Sequence, residues 1–351
     1  MDYQAQTSLP AMLLAQARRL GDRAFLWRKQ GGAWHSQSYA DAMQQIERLA
    51  GGLIGLGVAP GDRIVLVSEN RPEWLIADHA IMAAGAITVP AFVTNTTADH
   101  LHVLTNSGAR GAIVSNRTIA KRLLPAALET PGLEFVVSLE DLAPAQRPPF
   151  RLLAWDALLA DGAAQRDEVM ARVAALRRDD VCCIIYTSGT GGTPRGVMLT
   201  HGSILCNCMG AYQVLADFDL GDEVFLSFLP LSHSYEHTAG QFLPVSLGAQ
   251  IYYAEHVDKL VDDMAEARPT IMTAVPRLYE AMHGRIMRAM SKTTGSKRRL
   301  FDAALALGRK KYERPGSLTL GERAMDLVAE LLVRRKVRQR FGGRLKALVS
   351  G

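Results

Sequence analysis

Cysteine is scarce in this sequence, and none of it is spaced for a metal. The four cysteines of the 351 residues stand at 182, 183, 206 and 208, an adjacent pair and a C-x-C. Neither spacing suits zinc, and four cysteines in so long a chain make no disulfide framework. Reduced, structurally buried thiols in a cytoplasmic protein are expected. Charge imbalance is also small. A net charge of +5 with 48% apolar residues excludes a disordered chain. No long uncharged apolar run occurs. The longest, Ile76–Val93, is interrupted by Asp78, His79 and Pro90, so it reads as a helix and a strand rather than a membrane span. The opening MDYQAQTSLP has no basic region and no apolar core, so no signal peptide is expected. Internal repeats and low-complexity segments are absent from the sequence.

The charge that is present is segregated. Between Met282 and Lys346 stand 18 Lys and Arg against 5 Asp and Glu, a balance of +13 in a chain whose total is +5. A solvated helical face is the plain reading. Contact with anionic lipid headgroups or a polyphosphate is the sharper one. The run lacks interleaved aromatics, so nucleic acid is not expected as a partner. Elsewhere, apolar runs such as RIVLV, GAIVS and VCCIIY alternate with segments of helical period. That alternation predicts an α/β protein with parallel sheet. Ser38 is placed to cap one helix, Pro72 to open another, and breaks are expected near Gly295 and Pro315 in the basic segment. The last residues, RLKALVSG, read as a strand leaving a helix, which suggests a fragment of a longer polypeptide.

The stretch Tyr186–Val197, YTSGTGGTPRGV, follows a buried strand and is expected to lead into a helix. Glycines let backbone N–H groups approach an anion, hydroxyls add donors, and a cation neutralises charge. A flexible surface turn is the alternative. The stretch is not a Walker A loop, because Val197 and Met198 follow the second glycine where Lys and Ser or Thr belong. It is not the dinucleotide fingerprint either, because Pro194 occupies the place of the third glycine.

YTSGTGGTPRGVMLTH resembles the signature T-S-G-T-T-G-x-P-K-G of adenylate-forming enzymes, most closely that of the fatty acid–CoA ligases. FLPLSHSYEHTAG and RPTIMTAVPRLYEAM are similar to two further blocks of that family, and the resemblance covers essentially the whole chain. Gly191 stands where the family has a second threonine, and Arg195 where it has lysine. The resemblance implies an α/β fold of two sheet-containing subdomains with flanking helices. About 51–200 would form the first, and 10–50 with 201–351 the second. The C-terminal domain bearing a catalytic lysine would be absent. It implies ATP, Mg²⁺ and CoA as cofactors and a medium- or long-chain fatty acid as substrate. Thr187, Ser188, Gly189, Thr190, Gly191, Gly192, Thr193 and Arg195 would hold the phosphates, Thr190 would meet Mg²⁺, and His233 and Arg195 would take part in catalysis. The fragment alone is expected to lack the complete reaction. A ligase with a different acceptor is the nearest alternative. Peripheral contact with the inner face of an anionic membrane through 282–346 would suit a cytoplasmic enzyme drawing on lipid.

A second pattern competes. His233-Ser-Tyr-Glu236-His237 matches H-x-x-E-H, the inverted zinc-peptidase motif, and a helix would set the two histidines one turn apart. The match is short and no third ligand is evident. The family resemblance instead puts His233 beside the adenylate, with Glu236 and His237 lining the pocket or supporting it. His201 is expected to cap or orient the helix after the glycine loop, Trp27 and Trp74 to pack, and Tyr186 to be core or pocket wall.

Overall fold

In a computed structural model, residues 1–142, 147–187 and 193–350 are described. They form two units, Met1–Ala254 and Glu255–Gly351. In the first unit, short runs of β-branched and aliphatic residues become the strands of a largely parallel sheet, the central ones buried on both faces under helices. These are β3 (Arg63–Val67), β4 (Ile87–Pro90), β5 (Gly111–Val114), β6 (Phe135–Ser138), β7 (Arg151–Ala154), β8 (Val181–Thr187) and β9 (Arg195–Thr200). They pair in the order β7-β6-β5-β3-β4-β8-β9, all parallel except the antiparallel β8–β9 hairpin. A smaller set joins β1 (Ala24–Gln30), β2 (Ala33–Ser38), β10 (Val224–Ser227) and β11 (Gln250–Tyr253). There β1 and β10 flank β11 in parallel, and β2 is an antiparallel edge.

The helices of this unit follow the sequence signals closely. They are α1 (Leu9–Leu20), α2 (Tyr39–Gly55), α3 (Pro72–Ala83), α4 (Thr97–Ser107), α5 (Arg117–Leu128), α6 (Trp155–Asp161), α7 (Arg166–Ala175), α8 (His201–Leu215), a single turn α9 (Ser234–Glu236) and α10 (Leu243–Leu247). Ser38 caps α2 through a reciprocal pair with Asp41, and Thr96 caps α4 in the same way with Asp99. Pro72 opens α3, whose missing N–H costs nothing at that position. Every residue of α3 except Glu73 is buried, so this helix is core on all sides. His201 is the first residue of α8, but Thr200 provides the cap. The buried His201 ring instead accepts the Leu9 amide at 3.3 Å, fastening the start of α1, so it does not cap its own helix.

The helix α2 crosses the turn after α6 at glycine contact. A Cβ on Gly162 would overlap the Arg48 carbonyl oxygen, and one on Gly51 would overlap the Gly162 carbonyl. Both obstacles are backbone, which cannot rotate away. The Gly162→Ala variant is expected to lose about 3 kcal/mol, the upper range for an overpacked core. An unchanged urea midpoint and slope would show that the crossing gives way more easily.

The second unit holds α11 (Leu260–Ala267), β12 (Ile271–Ala274), α12 (Pro276–Ser291), α13 (Ser296–Glu313), α14 (Leu320–Ala329), α15 (Arg335–Arg340) and β13 (Ala347–Ser350), with β12 and β13 parallel. Gly295, at φ +71°, separates α12 from α13, and Pro315 lies just beyond α13, as the sequence predicts. Among the described residues, no helix is long and apolar enough to cross a membrane. All four cysteines are free; Cys182, Cys183 and Cys208 are buried and Cys206 is exposed.

Candidate nucleotide site

The glycine-rich stretch sits at the tip of the β8–β9 hairpin. Its centre, Ser188, Gly189, Thr190, Gly191 and Gly192, lies outside the described residues. The two arms are defined. Cys182 and Cys183 are buried in β8, and the last register pair is Thr187 opposite Arg195. Thr187, Thr193 and Arg195 are all exposed. This corrects the expected strand–loop–helix order. Residues 195–200 form a strand before α8 begins at His201. A strand therefore stands between the glycine-rich stretch and the start of α8. An anion held there would rely on tip amides, hydroxyls and Arg195.

The base of the tip is pinned from α4. Tyr186 is buried and its hydroxyl donates to Asn106 Oδ1 at 2.7 Å. Burial raises the Tyr186 pKa, keeping the phenol neutral. His102 meets the Tyr186 ring edge-on at 5.8 Å and donates from Nε2 to the Pro194 carbonyl at 2.9 Å. Tyr186 is thus core and loop support together. Gly196 lies under this ring, and a Cβ there would come within 2.7 Å of Ile184 Cγ2.

The block around His233 is set by a polar cluster at the carboxyl end of β3. Asn70 donates from Nδ2 to Ser227 Oγ at 3.0 Å and to the Leu229 carbonyl at 2.7 Å, and accepts the Leu231 amide at 3.3 Å. Next to it Glu69 receives Asn116 at 3.2 Å and the Ser115 hydroxyl, and pairs with Arg71. Strand order reverses here, since β4 and β5 flank β3 on opposite sides. Crevices at such switch points are where open α/β sheets bind ligands. The sequence reading passed over Asn70; its signal was a polar S-E-N-R run directly after a buried strand.

The three residues of H-x-x-E-H turn to different partners. His233 is exposed and caps α9, its Nδ1 accepting the Tyr235 amide at 3.2 Å. Glu236 is fully buried and accepts the Ser227 hydroxyl at 2.7 Å. His237 is buried and its Nε2 donates to Asp78 Oδ2 at 2.8 Å. The segment His237–Phe242 winds as a π-turn rather than continuing an α-helix. Among the described residues no group of three or more His, Cys, Asp and Glu is placed to hold a metal. The three side chains of the H-x-x-E-H pattern thus do not converge on one point.

The Asp78–His237 pair links the two halves of the site. Gln241 also donates to Asp78 Oδ2, at 2.7 Å, and Trp74 meets the His237 ring edge-on. Cys183 of β8 sits beside His237. Burial by itself would lower the His237 pKa, but the Asp78 carboxylate outweighs it and raises it to about 10. Burial opposes ionisation of Asp78 too, and His237 holds its pKa below the usual carboxylate value. The two charges are thus kept together. The segment bearing His233 and the strand bearing the glycine loop rest against one buried ion pair.

The profile of the family described as AMP-binding enzyme matches residues 13–350. The peroxisomal long chain acyl-CoA synthetase 6 of Arabidopsis thaliana is 32% identical over 326 residues, covering 91% of this chain and 44% of that protein. A long-chain-fatty-acid–CoA ligase of Mycobacterium tuberculosis is 32% identical over 353 residues, covering 98% of this chain and 56% of its own length. The chain thus spans about half the length of the curated relatives it matches. Among solved structures, the adenylation domain of a carboxylate reductase from Mycobacterium chelonae superposes with a TM-score of 0.65 at 20% identity, covering 99% of this chain and 54% of that one. At that identity the likeness speaks to the fold.

Proposed function

The chain belongs to the AMP-binding enzyme family, and from that premise we propose that it carries the nucleotide-handling part of an AMP-forming fatty acid–CoA ligase. In that reaction a fatty-acid carboxylate oxygen attacks the α-phosphorus of ATP. The bond to the bridging oxygen breaks, and acyl-adenylate and pyrophosphate result. The CoA thiol then attacks the acyl carbon, loses its proton, and expels AMP to leave the thioester.

The physical demand of the first step is charge. An anionic nucleophile must approach a polyanion, so donors must converge where negative charge is released. What supports the reading is the end of the hairpin, where Thr187, Thr193 and Arg195 are exposed on either side of the glycine-rich stretch, on arms held by Tyr186 and His102. In this proposal Thr187, Thr193 and Arg195 join Ser188, Gly189, Thr190, Gly191 and Gly192 in holding the β- and γ-phosphates. The donor set suits magnesium phosphate, with Thr190 as the residue that would meet Mg²⁺; the ion would neutralise charge on the phosphates. His233 would face the adenylate, held in place through Asn70. The basic segment 282–346 would let a cytoplasmic enzyme rest on anionic lipid. The subdomain division near residue 200, and a lysine-bearing domain beyond this chain, belong to the same proposal.

Carboxylate-dependent ATP–pyrophosphate exchange tests it, run over fatty acids of increasing length. The assay uses a polypeptide extended to the length of the relatives, with the 351-residue chain beside it. Exchange that rises with acyl length is expected in the longer protein, and complete acyl-CoA synthesis is not expected in the shorter. Exchange indifferent to added carboxylate would overturn the reading.

A further inference from the structure

The helix α14 presents its two faces in reverse. An amphipathic helix normally buries its apolar stripe and leaves its charges in water. Here the row Glu322, Asp326 and Glu330, spaced by four, is half-buried. Glu322 pairs with Lys310 of α13 at 2.6 Å, and Asp326 with Lys311 of α13 at 2.9 Å and with Arg334 at 2.7 Å. Glu330 pairs with Arg338. Ala329 is the one buried residue of the helix.

The leucines point the other way. Leu320 is 83% exposed and Leu327 61%; Leu331, in the π-turn Glu330–Arg334 that carries α14 into α15, is 51% exposed. Ala324 is exposed between them. Six of the seventeen large apolar side chains exposed among the described residues fall within 320–332. Scattered apolar residues on a surface need no explanation, but a contiguous set marks a place of contact.

Spacing and charge say what fits. Leu320, Ala324, Leu327 and Leu331 follow one another at intervals of four, three and four, the seam by which one α-helix interlocks with another. A bilayer surface accepts an apolar face in any register. Arg323, one turn from both Leu320 and Leu327, and Arg335, one turn beyond Leu331, flank the seam and are exposed. The carboxylates of the helix are already engaged in the ion pairs above. A second copy of the chain would therefore bring like charges together across the seam, whereas acidic flanks would complement it.

We propose that the outward face of α14 docks an acidic amphipathic helix of a partner protein, its apolar residues interleaved with Leu320, Leu327 and Leu331 and its carboxylates against Arg323 and Arg335. The inference does not draw on the reading of the glycine loop, and a chain that bound no nucleotide would keep the seam. The contact with anionic lipid proposed for the basic segment is electrostatic and does not need these leucines.

Fluorescence anisotropy with the whole 351-residue protein and two synthetic helical peptides of three heptads tests the assignment. Both peptides carry Leu at every a and d position; one has Glu at e and g, the other Lys. The acidic peptide is expected to bind about tenfold more tightly at low ionic strength, with the preference shrinking as salt is added. A photoreactive leucine in its seam should crosslink between residues 320 and 335. Leu327→Asp, at an exposed position, should weaken the acidic peptide about thirtyfold and leave the urea midpoint where it was. Arg323→Glu with Arg335→Glu should reverse the preference, so that the basic peptide binds more tightly. The polypeptide extended to the length of the relatives should bind as the shorter chain does; loss of binding there would give the seam to the rest of the chain and overturn the proposal. Equal binding of the two peptides, crosslinks confined to residues 1–254, or an unaltered preference in the charge-reversed pair would each overturn it too. So would phosphatidylglycerol vesicles that hold the chain and release Leu327→Asp while neither peptide binds, a result that would assign the face to lipid.

Discussion

Asp78→Asn is expected to cost about 3–5 kcal/mol of stability, because it removes one member of a fully buried ion pair and leaves the other without a counter-charge. The loss has a pH signature. The His237 pKa is raised from 6.5 to about 10, so its contribution is complete below 6.5 and fades as pH climbs through 10. The Asp78 pKa is lowered from 3.8, so its contribution is complete above 3.8 and fades as acid takes the folded carboxylate below that value. Stability from the pair is therefore full between about pH 4 and 6.5. Urea unfolding of the native chain at pH 6 and pH 9.5 should show a fall at the higher pH, and Asp78→Asn should show less of one. Equal pH dependence in the two proteins would mean that the pair is not charged in the fold. Damage should reach the site as well, since His237 follows the His233 turn directly and Cys183 lies beside it on the strand bearing the loop.

Arg195→Ala is expected to lower the rate of ATP–pyrophosphate exchange in the extended polypeptide by about 10²–10³, close to 3–4 kcal/mol of transition-state stabilisation. Arg195 is exposed and paired in register with Thr187, so truncation should leave folding within about 0.5 kcal/mol. Arg195→Lys should restore most of the rate, because a compact ammonium still neutralises phosphate charge, although it loses the planar fork. If alanine and lysine variants fall equally, Arg195 serves geometry and not charge. If neither falls, the phosphates do not meet this strand.

Much of the architecture was legible because parallel strands buried on both faces announce themselves. IVLV, GAIV and FVV are apolar without interruption, and each lies in a strand. Caps at Ser38 and the opening proline at 72 were equally direct. Edge strands were harder. AWHSQS is polar and half exposed, with no period to read; its signal was the Gly31-Gly32 pair, both at positive φ, which turns β1 back into β2. The strand Arg195–Thr200 was hidden for a related reason. It pairs on one side only and leaves Val197 and Met198 exposed, so it looked like the opening of the next helix.

At the site, sequence pattern found the glycine loop and the histidine block but could not say what each histidine does. His233 and His237 share a motif and lie one turn apart, yet one is exposed and the other fully enclosed. What separates them is Asp78, 159 residues earlier, in a helix whose every face is covered but for Glu73. Long-range partners of this kind leave no local trace. The same holds for Asn70, whose three bonds to the segment 227–231 hold the approach to His233.

The account depends on the tip of the β8–β9 hairpin receiving a triphosphate. Amide hydrogen exchange, with and without ATP and magnesium, examines that tip directly in the 351-residue chain and in the extended polypeptide. Slowed exchange at residues 187–196, abolished in Arg195→Ala and absent with adenosine alone, is the predicted result. Protection elsewhere with these amides unchanged, in both polypeptides, would contradict it.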